Sequence, residues 1–371
     1  MYYIIALAVS LVLSVLIVHF HPLVQTRRYD VSAVQSMHDK QVSRLGGLAV
    51  VVATFSTMLL LPAELLDKRT VFLLAATTVP VLIAGILEDL GLNVRPRDRF
   101  LAACGSGVLY IILFDQWLMS THTPVLDYLM QWAPFAILFS VLLSAGVSHA
   151  YNLIDGLNGF AGFVAGSAAL SLGYLAYASG LADQGVMLVL TFSATVGFLM
   201  VNFPSGRIFL GDAGAYVVGH ILVWISISLL WMAPEVSAWS ILLIFFWPLA
   251  DTALAILRRL SRGRGIHHPD RLHFHHLALR ALEIAFLGRG NRRLANPIAS
   301  VILLPFAVAP MLAGVLLKSS NAAAAFAAGA FFALFLLTYK TGVVVASRMS
   351  TRRAMRRVMI ELKLNAPLLK N

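Results

Sequence analysis

Cysteine is almost missing from this chain: Cys104 stands alone among 371 residues, inside an apolar run. A disulfide framework and a cysteine-built metal site are both excluded. Charge is scarce as well. Only 12% of residues are charged, roughly half the quarter expected of a soluble globular domain. The first twenty residues have neither a basic leader nor a small-residue cleavage site, so they read as a spanning helix, not a signal peptide. No histidine pair has metalloprotease spacing, which argues against a zinc reading of "HFHH" (273–276). Acids are outnumbered, 17 to 28 Lys and Arg, for a formal charge of +11. On a soluble protein that excess would suggest nucleic acid. Here it reflects loops left on one side of a membrane, and no nucleic-acid partner is expected.

What is abundant is apolar surface: 59% of residues, with a mean hydropathy of +0.83. The expected fold is all-α, a polytopic membrane protein with about eleven spans. They fall near 2–20, 45–63, 71–88, 100–115, 133–150, 159–178, 184–201, 213–232, 237–257, 298–317 and 322–340. Of the 28 Lys and Arg, 25 lie in the segments following odd-numbered spans; the opposite loops hold only Lys68, Arg69 and Lys318. That bias predicts an N-terminus outside and a C-terminus in the cytoplasm. Linkers are short and no repeat is visible, so residues 1–371 read as one domain. Its basic tail, 341–371, reads as a topology anchor or as an amphipathic helix on the inner membrane face.

The acids that matter gather on the basic side. In "GILEDL" (85–90), Glu88 and Asp89 end a span, where they oppose the helix dipole and repel each other. The arrangement calls for a cation, and Arg95, Arg97 and Arg99 follow; a structural ion-pair cluster is the alternative. "YNLIDGLNGFAG" (151–162) places Asn152, Asp155 and Asn158 between two apolar runs. It is either a polar turn or a site where Asp155 supplies a hard oxygen to Mg²⁺. "NFPSGRIFLGDAGAYVVG" (202–219) puts Asp212 at a helix start, as a simple cap or as a carboxylate sharing a divalent ion with a phosphate. Phe209 is an aromatic able to stack on a base. The stretch 251–276 holds five of eleven histidines among arginines, which suits anionic phosphate. Carboxylates on one face, no cysteine ligands, and many Arg and His together suggest Mg²⁺-assisted phosphoryl transfer in a wet cytoplasmic cleft.

These motifs, with "HDKQVSRLGG" (38–47) and "PLADT" (248–252), occur in this order along nearly the whole chain. In this the chain resembles the polyprenyl-phosphate N-acetylhexosamine-1-phosphate transferase superfamily, glycosyltransferase family 4. Its members start O-antigen and teichoic acid synthesis or act as phospho-MurNAc-pentapeptide translocases. The resemblance implies that undecaprenyl phosphate attacks a UDP-linked N-acetylated sugar, releasing UMP. It implies Mg²⁺, or Mn²⁺, as cofactor, a multi-pass location in the bacterial inner membrane, lipid contact, and compatibility with a homodimer. Carried over, Asp212 is the main metal ligand, with Asp155. Asp89 and Glu88 engage or deprotonate the lipid phosphate, and Asn152 lies near metal and diphosphate. Phe209 stacks on the base, with Asn158 and Asn202 near the uracil. His273, His275 and His276 contact phosphate or sugar, and His38, Lys40 and Arg44 belong to the first cytoplasmic loop.

The chain departs from the pattern in its Glu88–Asp89 pair, commonly Asp–Asp. It lacks the lysine that pentapeptide translocases carry after that pair, and has Asn158 where they have Asp. It is therefore closer to the O-antigen-type enzymes, some of which prefer deoxy sugars such as N-acetylfucosamine. The pentapeptide translocase is the runner-up. A transporter or flippase is the rival from another class, disfavoured because the acids avoid the membrane midplane.

Overall fold

The structure, a computed structural model, describes residues 1–24, 42–261, 263 and 272–365. Among these it is all-helical. The helices are α1 (Tyr2–Val24), α2 (Gly46–Leu60), α3 (Lys68–Asp89), α4 (Pro96–Phe114), α5 (Pro124–Met130), α6 (Ala133–Leu153), α7 (Phe160–Ala178), α8 (Ala182–Asn202), α9 (Gly211–Met232), α10 (Ala238–Ile244), α11 (Phe246–Ser261), α12 (Phe274–Leu282), α13 (Arg292–Leu316) and α14 (Asn321–Asn365). All-helical structure follows from the setting: in hydrocarbon every backbone N–H and C=O must find its partner within the segment.

Eight described helices are long and apolar enough to cross a membrane; α10 and α11, bent by 80° at Phe245, raise this to nine. The expected count of about eleven is not reached on that measure, for two physical reasons. Helix α2 is only 15 residues long. Helix α4 opens on Arg97, Asp98 and Arg99, which shortens its apolar stretch. Helix α14 runs on through the basic stretch to Asn365, so no break separates a tail from the last span.

Helix α9 is the axis of the bundle. It is buried over 94% of its apolar stretch, against 17% for α1 and for the membrane part of α14. Helices α2, α3, α4, α6, α7 and α8 all pack on it. Small residues permit that enclosure, as is usual where helices associate in lipid. A β-carbon on Gly47 would overlap the backbone of Gly214, and one on Gly85 would overlap that of Ala213. Gly47→Val is therefore expected to destabilise the fold by about 2 kcal/mol or more through overpacking. Gly105→Ala, with nothing within 4 Å of the new carbon, should be neutral or stabilising. Thermal unfolding in detergent measures both, and equal behaviour of the two variants would refute the close approach.

The end remote from the acids is closed by local hydrogen bonds. Asp67 caps α3 by accepting from the amides of Arg69 and Thr70, at 3.3 and 2.9 Å. The Thr70 hydroxyl, which also donates to it, and then those two amides hold its carboxyl below the usual range. Lys68 Nζ donates to the carbonyls of Met58, Leu59 and Leu61, satisfying the end of α2.

Candidate active site

The site is built around the first turn of α9. The backbone approaching it pairs with the segment before α2. Phe209 N donates to Ser43 O at 2.8 Å, and Gly46 N and Gly47 N donate to Phe209 O and Leu210 O, each at 2.9 Å. The chain then turns through Gly211, whose φ is +71°. A side chain there would be strained, and its β-carbon would strike the Arg44 carbonyl and Asp89 Oδ2.

Three consecutive amides open α9 without partners in their own helix. Each is taken by a carboxylate from elsewhere in the chain. Gly211 N donates to Asp155 Oδ2 at 3.0 Å. Asp212 N and Ala213 N donate to Asp89 Oδ1 and Oδ2, both at 2.9 Å. Asp89 thus ends α3 and caps α9, and it is only 5% exposed. The positive end of the α9 dipole offsets the charge held there. Asp155 lies in the turn between α6 and α7. Burial pushes its carboxyl up to about 6, while the Gly211 amide and Arg44 pull the other way.

Asp212 is 1% exposed and receives cationic and hydroxyl donors. Arg44 lies 3.4 Å from Oδ1, and Arg99 and the Tyr216 hydroxyl donate to Oδ2, the latter at 3.0 Å. Arg44 also lies 3.9 Å from Asp89, and Arg99 3.8 Å from Glu88 Oε1. The positive charge required by the acidic pair therefore comes from Arg44 at Asp89 and Arg99 at Glu88, and both also reach Asp212. Glu88 Oε2 accepts the Val94 amide at 2.8 Å, tying the pair to the turn that follows it.

The other expected residues divide into two groups. Asn152 joins the acids, its side-chain amide donating to the Tyr216 hydroxyl at 2.7 Å. Asn158 and Asn202 are buried braces: their amide groups donate to Pro204 O and Ile208 O within the loop that leads to α9. Asn158 N also donates to Asn296 Oδ1 at 2.7 Å, fixing the α6–α7 turn to α13. Phe209 is half-buried, its backbone engaged as above. His273, His275 and His276 are buried, not displayed on a basic loop. The Nδ1 atoms of His273 and His275 lie 3.1 and 3.3 Å from Asp251 Oδ2, and Phe274 N donates to Asp251 Oδ1 at 2.9 Å. Asp251 so anchors the start of α12. Burial pushes both His275 and His276 below the usual imidazole range. The two rings back the α6–α7 turn, because a β-carbon on Gly156 would meet His275 Nε2 and His276 Cε1 at 2.9 and 3.0 Å. His38 and Lys40 lie outside the described residues.

Sequence reasoning missed Tyr216, the reach of Arg99 to Asp212, and the anchoring role of Asp251. Tyr216 carried a usable signal, since it lies four residues after Asp212 and so on the same helix face.

Among the described residues, no three His, Cys, Asp or Glu side chains form a ready cage for a metal. The donor set still suits Mg²⁺, which is commonly held by one or two carboxylates with substrate phosphates completing its shell. Asp212 and Asp155, drawn to one helix turn, would supply those two carboxylates.

Comparison with known proteins gives a consistent picture. Residues 71–230 match the model of glycosyl transferase family 4. The chain is 31% identical over 286 residues to the probable undecaprenyl-phosphate N-acetylglucosaminyl 1-phosphate transferase of Bacillus subtilis, covering 74% of this chain and 76% of that protein. It is 25% identical over 217 residues to the undecaprenyl-phosphate alpha-N-acetylglucosaminyl 1-phosphate transferase of Escherichia coli K12, covering 56% of this chain and 58% of that protein. It is 26% identical over 246 residues to the phospho-N-acetylmuramoyl-pentapeptide-transferase of Staphylococcus saprophyticus, covering 62% and 75%.

Proposed function

This chain belongs to glycosyl transferase family 4, and we propose that it transfers the sugar-1-phosphate of a UDP-linked N-acetylhexosamine to undecaprenyl phosphate. An oxygen of the lipid phosphate attacks the phosphorus that carries the sugar. The diphosphate P–O bond breaks, UMP leaves, and a polyprenyl-diphosphate sugar stays in the membrane as the first intermediate of a surface polysaccharide. The observation that supports this most directly is the convergence of Asp89, Asp155 and Asp212 on the first turn of one buried helix, with Arg44 and Arg99 among them.

Each part has a task in that reaction. Phosphoryl transfer gains mainly from positioning and charge stabilisation. Arg44 and Arg99 supply fixed positive charge where two phosphates must meet. Asp89 sets the orientation of the α9 turn that carries Asp212. Asp212 and Asp155 would hold Mg²⁺, which when bound neutralises the diphosphate and stabilises departing UMP. A transporter would favour acids at the midplane; here they sit at helix ends.

The test is purified protein in detergent with undecaprenyl phosphate, MgCl₂ and a panel of UDP-sugars. UMP release is followed together with the mass of the lipid product. A diphosphate-linked N-acetylhexosamine lipid supports the proposal. A product formed only from UDP-MurNAc-pentapeptide would move the chain to the runner-up activity. No UMP with any sugar would overturn the reading.

The basic-residue bias supports a site at the cytoplasmic face, with the N-terminus outside, and the proposed setting is the bacterial inner membrane. Cysteines placed at Ser261 and Thr121, in a Cys104→Ser background, report on this. An impermeant thiol reagent applied to intact cells should label the Thr121 position and spare the Ser261 position. The reverse pattern would put the site on the wrong side.

A further inference from the structure

We infer that Tyr216 is a positioning residue that fixes both Asp212 and Asn152 in the polarity the site requires. The inference rests on the transferase reading above. Its starting point is a directional chain of hydrogen bonds. An ionised carboxylate can only accept, so the bond between Tyr216 and Asp212 Oδ2, at 3.0 Å, must use the tyrosine proton. The hydroxyl oxygen is then left with lone pairs alone. Its second bond, 2.7 Å from Asn152, must be received and not given. Asn152 therefore has to turn its NH₂ toward Tyr216, which leaves its carbonyl oxygen as the end directed elsewhere.

Tyr216 is 1% exposed, so it acts through its partners and does not itself meet substrate. Its ring is confined. The imidazole of His149 lies against it with centroids 4.6 Å apart, and Phe100 packs on His149 at 5.5 Å. Helical spacing places Tyr216 one turn beyond Asp212 on α9, while Asn152 arrives from the end of α6. One hydroxyl thus joins two helices and decides which atom of each side chain is offered to a ligand.

A phenylalanine at this position would keep the ring and remove the relay. Asp212 would lose one of its three donors, and Asn152 would be free to present either end. Groups that orient a metal ligand from behind typically change metal affinity or activity by about 10- to 100-fold when removed.

The experiment compares wild type, Tyr216→Phe and Asp212→Asn, each purified in detergent. Thermal unfolding is recorded against MgCl₂ concentration without substrate, and the KM for Mg²⁺ and kcat are measured with undecaprenyl phosphate and the best UDP-sugar. For Tyr216→Phe the inference expects a Mg²⁺ midpoint raised about tenfold or more in both measurements, with an unfolding temperature in metal-free buffer close to wild type. An unchanged Mg²⁺ midpoint overturns it, whether or not kcat falls. A lowered metal-free unfolding temperature with an unaltered midpoint shows a purely structural role and also overturns it. Failure of the underlying reading looks different: wild type itself then shows neither a Mg²⁺-dependent shift nor UMP release, and Asp212→Asn behaves as wild type.

Discussion

Asp212→Asn is expected to remove nearly all transfer activity, lowering turnover by about 10²- to 10³-fold or more. That is the usual scale for deleting one preorganised charge-stabilising group. The substitution keeps the size of the side chain and changes its chemistry. Asparagine offers one acceptor in place of two charged oxygens, and its NH₂ must face either Arg44 or the Arg99–Tyr216 pair, all of which are donors. The variant also loses the oxygen donor best placed for a hard cation. UMP release measured across MgCl₂ concentrations, on protein shown to be folded by its unfolding transition, is the check. Near-normal turnover with unchanged Mg²⁺ dependence would remove Asp212 from the centre of the site.

Asp89→Asn is expected to be almost as damaging, for a different reason. From sequence, Asp89 read as the partner of Glu88 in engaging or deprotonating the lipid phosphate. In the structure both its oxygens hold amides of the α9 first turn. Asparagine can accept only one of these. Its NH₂ would be pressed against a buried N–H, and hydrogen bonds to a charged group are each worth about 1.5–3 kcal/mol. The α9 turn would lose its cap, and Asp212 its fixed direction. Turnover should fall about a hundredfold or more, together with the unfolding temperature. A phosphate monoester already loses its second proton near pH 6, so raising the pH should not restore the rate. Full recovery at high pH would show that Asp89 removes a proton. Glu88→Asp should be mild, since it restores the commoner pair, although the shorter side chain reaches less well to Val94 N. Glu88→Gln keeps an acceptor for that amide and loses the charge facing Arg99, so it should fall between the two. A deadlier Glu88→Gln would reverse the assignment of the pair.

Much of this was legible because the membrane simplifies the reading. Uninterrupted apolar runs announce helices, and every expected run corresponds to a helix or to the bent pair. The acids stood out because carboxylates are costly beside lipid. What stayed hidden were pairings at long range. Nothing near Asp89 in sequence says that it caps a helix starting more than a hundred residues later. Tyr216 was concealed by its own apolar surroundings, since an aromatic inside a spanning helix ordinarily reads as packing. The setting of the histidines was hidden for a related reason. As a string they suggest a basic, phosphate-seeking loop, but Asp251 on α11, more than twenty residues earlier, lies against two of them in the interior. A pairing over that separation leaves no periodic trace in sequence. The arginines were only half readable: their nearness to the acidic pair was visible, but their sharing with Asp212 was not.

The enclosure of α9 has a consequence for how this protein senses its bilayer. A helix so nearly enclosed has little thickness to match. The helices that do touch it, α1 and the membrane part of α14 above all, tilt to suit the local hydrocarbon depth at a cost of fractions of a kcal/mol per ångström. Asp212 and Tyr216 ride on the unexposed axis, while Asp89, Arg99 and Asn152 arrive on α3, α4 and α6 around it. In nanodiscs of stepped acyl-chain length, strain would therefore collect where the surrounding helices meet the axis, at the contacts made by Arg99, Asp89 and Asn152. Turnover should pass through a maximum at one thickness, while the fold itself persists on either side of it.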